Sequence, residues 1–181
     1  MTDPVKYDRI YETDEEACGE PYKEIVMFVN ALRPRTLDVL DLGCGQGRDA
    51  LLFARAGHHV LGVDLSKVGV QQMLQFADTE GLDVTGVVQS ITDYEPASLF
   101  DVVILDRVLH MLDDDAAREQ VLIRAGQALR PDGALLVVDY PRNMPFLRRV
   151  VSDTFPEWER ILDRKNVLFL RRTRQREPSR T

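Results

Sequence analysis

Gly43, Gly45 and Gly47 stand at alternate positions directly after an apolar run that carries one acid, Asp41. A second apolar run ends in another acid, Asp64, about 20 residues further on. Glycines so spaced suit a strand-to-helix turn whose backbone bends sharply and approaches a ligand closely. An acid closing the next strand can accept hydrogen bonds from both hydroxyls of a ribose. The two features together predict a nucleoside-bearing ligand. Spacing narrows the choice. The dinucleotide fingerprint G-x-G-x-x-G aims a helix N-terminus at a pyrophosphate. Here the third glycine comes one residue early, and Asp41 would repel a pyrophosphate but attract a cation. S-adenosylmethionine, with a ribose, an ammonium, a sulfonium and no phosphate, fits better than a nicotinamide dinucleotide.

Further polar residues sit where two later apolar runs end. Asp106 and Arg107 follow one run, with His110 just beyond, and Asp139 and Tyr140 close another. Methyl transfer from a sulfonium needs mainly orientation of donor and acceptor, and a base only when the acceptor must lose a proton. His110 is the candidate catalytic base, with a packed histidine as the alternative. With no acid next to it in the sequence, an orientation-only reaction is the expectation. Asp106 is expected to face the ligand, and Arg107 to pair with the acid run Asp113–Asp115. Tyr7, Tyr11 and Tyr22 could roof a sulfonium, since aromatic faces attract cations. Asp41 could instead anchor loop amides, and Asp64 could be a helix N-cap. Cys44 reads as a small filler of the loop, with no activating neighbour in the sequence. His58 and His59 read as structural or solvated residues at a turn.

The elements that must position these residues alternate in type. Strand candidates are Leu37–Leu42, His59–Asp64, Thr85–Gln89, Asp101–Leu105 and Ala134–Tyr140, apolar almost throughout, as in strands covered on both faces. Helix candidates lie at Pro21–Leu32, Arg48–Ala56, Lys67–Glu80 and Ala116–Leu129, the last preceded by acids and followed by the turn sequence RPDG. Beyond Tyr140 come a loop, another helix and a hairpin of Trp158–Asp163 with Val167–Arg171. The pattern predicts a doubly wound α/β fold: a Rossmann-like, seven-stranded, mostly parallel sheet ending in an antiparallel hairpin. One domain over residues 1–181 is expected, with residues 1–34 as a lid or helix and residues 173–181 as a disordered basic tail.

Four segments, VLDLGCGQG, VLGVDLS, FDVVILDRVLHML and ALRPDGALLVVDY, occur in order at the spacing of the class I S-adenosylmethionine-dependent methyltransferases, and residues 20–172 resemble that family. The opening YDRIYETDEEACGEPYKEIV also resembles its small tellurite-resistance-like members. The resemblance implies that Asp41 and the loop of Gly43, Cys44, Gly45 and Gly47 surround the methionine part of the cofactor. It implies that Asp64 holds the ribose and Leu65 lies against the adenine. Many members carry an adenine-binding acid after the third strand. This chain offers Ser90 there, with Ile91 to cover the ring and Asp93 close by.

Bulk composition bounds the rest. A chain of 181 residues can bury a single core, and no apolar run approaches the roughly 20 residues of a membrane span. Two cysteines form no disulfide framework, so a reducing, cytoplasmic setting is expected. Residues 1–140 carry 12 Lys/Arg against 25 Asp/Glu, and residues 141–181 carry 11 against 5. The net −13 of the larger part disfavours nucleic acid, and the basic end reads as a solvated hairpin and tail. The Asn/Asp-Pro-Pro-aromatic motif of nucleobase amino-methylating enzymes is missing from LDRVLHML, and Cys/His spacing for zinc is missing too. A small-molecule acceptor is the resulting expectation. A catalytically silent, partner-binding relative and a nicotinamide-dependent oxidoreductase are the alternatives.

Overall fold

A computed structural model describes residues 4–14, 17–33 and 35–173. Its centre is one seven-stranded sheet in the order β3-β2-β1-β4-β5-β7-β6. The strands are β1 (Asp38–Leu42), β2 (His59–Asp64), β3 (Val84–Val88), β4 (Phe100–Asp106), β5 (Leu129–Val138), β6 (Glu159–Arg164) and β7 (Val167–Arg171). The first five run parallel, and β7 and β6 close the edge antiparallel. The expected α/β architecture is the one observed.

Successive strand residues point to opposite faces, and the two cores follow that alternation. Leu40, Leu42, Val103, Leu105, Leu135 and Val137 pack with Leu122, Leu147 and Val151, from helices α5 (Asp115–Gln127) and α6 (Met144–Thr154). Val39, Val102, Ile104, Leu136 and Val138 pack with Ile25, Phe53 and Met73. Those three come from α2 (Lys23–Asn30), α3 (Arg48–Arg55) and α4 (Lys67–Glu80). Asp41 and Asp106 have the same parity as Val39 and Ile104. Both acids therefore face α3, whose first two residues are Arg48 and Asp49.

The chain winds from β1 outward to β3, then crosses back to β4 on the other side of β1. That reversal makes the carboxyl ends of β1 and β4 the topological switch point, where open α/β sheets bind ligands.

Several element ends shift by a residue or two from the sequence reading, and three departures bear on the site. Residues Pro4–Thr13 form a helix, α1, ahead of the expected one. The helix expected to reach Leu129 stops at Gln127, because Leu129 already pairs with Phe100. The RPDG turn is thus an irregularity inside β5, with Asp132 at φ 67 and a register shift opposite it. The fifth strand ends at Val138 rather than Tyr140, since Asp139 Oδ1 captures the Tyr140 N–H at 2.5 Å. Of the expected basic tail, only Thr173 is among the described residues.

Candidate active site

A cavity of about 350 Å³ opens at the switch point, within the range typical of small-molecule sites. Of the residues singled out from the sequence, Gly43, Cys44, Asp64, Leu65, Ser90, Ile91, Asp106 and His110 line it. Tyr7 and Tyr11 also line it, as do Arg107 and Tyr140. Asp41, Gly45 and Gly47 do not line it. Asp93 does not either; its carboxylate accepts from Thr92 Oγ1 at 3.1 Å. Tyr22 is likewise not a lining residue; its ring lies 5.4 Å under the Arg107 guanidinium.

The conformation of the glycine loop is set by its protein neighbours. All three glycines have positive φ, at 85°, 51° and 87°, a region that side chains disfavour. A Cβ on Gly43 would strike Val108, one on Gly45 would lie 2.7 Å from Tyr11 Oη, and one on Gly47 would lie 2.3 Å from Met73 Cγ. The glycines admit protein neighbours, so the loop can pack under α1 and against α4. The cavity side of the loop is presented by Gly43 and Cys44. Burial pushes the Cys44 thiol well up, which leaves it an inert filler.

Asp64 ties this loop to β2. Its Oδ2 accepts the Gly45 N–H at 2.9 Å, and its Oδ1 accepts the Ser66 N–H at 2.7 Å. A carboxylate offers about four lone-pair positions, and the Leu65 amide is a third backbone group acting on it, so room remains for a ligand hydroxyl. Ser66, not Asp64, is the N-cap of α4, accepting from Gly69 N–H at 3.0 Å. Burial raises the Asp64 carboxyl pKa, against the lowering effect of the amides.

Sheet parity gathers an acid cluster at the other end of the cavity. Asp41, Asp49 and Asp106 are all buried. Arg48 stands among them, pairing with Asp49 at 2.5 Å and with Asp106, and donating to the Cys18 carbonyl at 3.1 Å. Arg107 pairs with Asp106 at 3.3 Å and holds a left-handed φ of 55°. Two of the acids expected to pair with Arg107 serve α5: Asp114 caps it through Ala117 N–H, and Asp115 pairs with Arg118. Burial pushes the Asp106 carboxyl up to about 8, with Asp49 adding to the rise and Arg48 opposing it. Asp41 is also raised, by burial first and then by Asp49. Three carboxyls share two arginines here, so the site is short of positive charge. Among the described residues no three His, Cys, Asp or Glu side chains form a candidate metal site.

Helix α1 roofs the cavity and is held at several points. Asp8 Oδ1 accepts from Ser66 Oγ at 2.5 Å and from Val68 N–H at 3.2 Å. Gln72 Nε2 donates to the Tyr11 carbonyl at 2.9 Å, and buried Gln46 links the Asp14 carbonyl at 2.7 Å to Cys18 N–H at 3.2 Å. Arg48, Asp49, Gln46 and Gln72 were missed from the sequence. The only available signal was the polar run Gln46–Asp49 around the third glycine.

His110, also on the cavity wall, sits in a short 3₁₀ turn (Leu109–Met111). Contrary to the expectation, it has an acid beside it. Asp139 Oδ1 lies 3.6 Å from His110 Nδ1.

The sequence profile of the methyltransferase domain family matches residues 39–133, more than half of the chain. The protein belongs to the methyltransferase domain family. This methyltransferase domain is 35% identical over 144 residues to the cypemycin N-terminal methyltransferase of a Streptomyces species, covering 74% of this chain and 56% of that one. It is 30% identical over 101 residues to the ubiquinone biosynthesis O-methyltransferase of Rickettsia prowazekii, covering 56% and 39% respectively. The chain thus spans between two fifths and just over half the length of these relatives. A TehB-like SAM-dependent methyltransferase from Corynebacterium glutamicum shares the fold, with a TM-score of 0.74 at 22% identity, covering 96% of this chain and 100% of that one.

Proposed function

We propose that this methyltransferase domain binds S-adenosylmethionine and transfers its methyl group to a small-molecule acceptor. The observation that carries this reading is the charge layout of one cavity. A cation-deficient acid cluster lies at one end, and a ribose-competent carboxylate, Asp64, lies between it and the apolar Leu65 and Ile91. The chemistry of the donor set fits an ammonium and a sulfonium, and disfavours the pyrophosphate of a nicotinamide dinucleotide. When bound, S-adenosylmethionine supplies a methyl group already activated on a positively charged sulfur.

The chain's own groups then bind and orient. Asp106 and Arg48 would take the ammonium and carboxylate of the methionine end, and Asp64 the ribose hydroxyls. Leu65 and Ile91 would flank the adenine, with Ser90 as its polar neighbour. Asp41, behind the wall, fixes the charge of the cluster rather than touching the ligand. Tyr7 and Tyr11 close the roof and keep water away from the reacting centre. Two features favour a small acceptor. The cavity is at the low end of about 300–1,000 Å³ for ligand sites. Four arginines of the C-terminal end, Arg148, Arg160, Arg164 and Arg171, are each paired with an acid, Asp163 serving two of them, which leaves these four less available to a polyanion.

Titration calorimetry tests the cofactor, with micromolar binding of S-adenosylmethionine and none of NAD as the expected result. Tight NAD binding alone would reverse the assignment. Radiolabelled methyl transfer into fractionated cell extract tests the acceptor: label is expected in the small-metabolite fraction. Label confined to RNA or protein would refute the small-molecule reading, and binding with no transfer anywhere would identify a silent relative.

A further inference from the structure

His110 and Asp139 are 29 residues apart and meet because β4 and β5 are neighbours, with Asp106 opposite Val138. The Asp139 side chain is fully buried and held from three directions. Its Oδ2 accepts the His110 N–H at 3.0 Å, and its Oδ1 accepts from Tyr140 N–H at 2.5 Å and Asn143 Nδ2 at 3.1 Å. The Tyr140 ring meets the imidazole edge to face, with centroids 4.5 Å apart at 82°. His110 Nδ1 is shut from solvent, faces this carboxylate and has no hydrogen-bond partner, alone in that among the buried side-chain polar atoms of the described residues. That leaves Nε2 as the ring nitrogen open to the cavity that His110 lines.

We propose that His110 is the general base of the reaction and Asp139 its positioning residue, so that the acceptor is an aromatic hydroxyl that must lose a proton. This rests on the methyl-transfer reading above and names its substrate class. An aromatic ring suits the acceptor end, whose wall is Tyr7, Met111, Leu112 and Tyr140. Nε2 takes the hydroxyl proton, the oxygen's freed pair forms the new O–CH₃ bond, and the pair of the broken C–S bond stays on the departing sulfur. The imidazolium so formed lies beside the Asp139 carboxylate, which stabilises it and closes the 3.6 Å gap.

The charged surroundings keep the base ready. Burial lowers the His110 pKa, and Arg142 and Arg118 push the same way, while Asp139 opposes them. Tyr140 and Tyr7 are the other titratable groups on this wall, and burial raises the Tyr7 phenol, which stays neutral. At neutral pH the imidazole is therefore uncharged, with its proton directed at Asp139 from Nδ1 and its lone pair on Nε2.

The test compares two probe acceptors, catechol, which must lose a proton, and iodide, which has none. At saturating S-adenosylmethionine, His110→Ala is expected to lose about 10²–10⁴-fold with catechol and under about threefold with iodide. The wild-type catechol rate rises with pH through the imidazole titration. Asp139→Asn shifts that rise to lower pH, and the His110 ring resonances in NMR shift with it, because the carboxylate is what holds the imidazole up. A loss below tenfold for His110→Ala with catechol overturns the proposal. So does a wild-type chain that binds S-adenosylmethionine yet methylates no hydroxyl probe; failure to bind S-adenosylmethionine refutes the cofactor reading instead. If Asp139→Asn does not fold, the His110→Ala comparison decides alone.

Discussion

Replacing Asp64 with Asn keeps the shape of the side chain and removes its charge and one acceptor. In the native chain each carboxylate oxygen already holds a backbone amide, Gly45 N–H at 2.9 Å and Ser66 N–H at 2.7 Å. Asp64 lines the cavity, where a ribose would present two hydroxyls. An Asn can satisfy one amide and one hydroxyl through its oxygen. Its NH₂ then opposes the other amide. Loss of one charge-assisted ribose hydrogen bond is worth about 1.5–3 kcal/mol, or about 10- to 150-fold in Kd. The opposed amide costs the fold about 1–3 kcal/mol on its own, so the two effects must be read separately.

Thermal unfolding reports the second effect, and competition calorimetry with adenosine and 2′,3′-dideoxyadenosine isolates the first. The wild-type chain should prefer adenosine, and Asp64→Asn should erase most of that preference. An unchanged preference with weaker binding of both ligands would mean that Asp64 only braces the loop, refuting the ribose assignment. Unchanged binding throughout would refute both roles.

Gly45→Ala should destabilise the chain by about 1–2 kcal/mol through its φ of 51°. It should also loosen α1 by crowding Tyr11 Oη, so part of the cost should disappear in a Tyr11→Phe background; equal costs in both backgrounds, measured by urea unfolding, would mean that the roof does not sense Gly45. Asp106, protonated below about 8 in the free protein, should ionise when a cation enters, so binding of S-adenosylmethionine at pH 7 should release up to about one proton. Calorimetry in buffers of different ionisation enthalpy measures this, and release that persists in Asp106→Asn or at pH 9.5 would assign the proton elsewhere. The same shift makes the free chain less stable as pH rises from about 4 to 8, since the folded Asp106 holds its proton and the unfolded one releases it. Asp106→Asn should flatten that decline.

The layers were legible because they depend on local pattern. The runs around Val39, Val60, Val102 and Leu135 are apolar on both parities, which only a sheet covered on both faces tolerates, and His59–Asp64 was placed to the residue. The departures occur where a long-range partner decides a local state. Leu129 completes a helical pattern in sequence, yet its pairing with Phe100 makes it strand. The opening of the chain is polar and acidic and Pro4–Thr13 went unread as a helix, and several polar hydrogen bonds anchor α1 beside α4, through Asp8 and Gln72.

The site divides along the same line. Asp64, Leu65 and Ser90 were legible as cavity residues because each lies at or just beyond a strand end, and the carboxyl ends of strands in this fold border the ligand crevice. For the glycines, a positive φ can be inferred from G-x-G-x-G, whereas the direction in which the missing Cβ would point depends on where Val108, Tyr11 and Met73 pack. The acid cluster needs one more step. Asp41 and Asp106 face Arg48 because they share parity with Val39 and Ile104, and Asp41 sits opposite Ile104 in the β1–β4 register. Sheet order alone creates that register. The His110–Asp139 pair needs the most: the β4–β5 register, a 3₁₀ turn of the right length, and a strand that stops at Val138. Cavity residues at a strand end can thus be named from one element, while the proposed base and its positioning acid emerge only from the meeting of two.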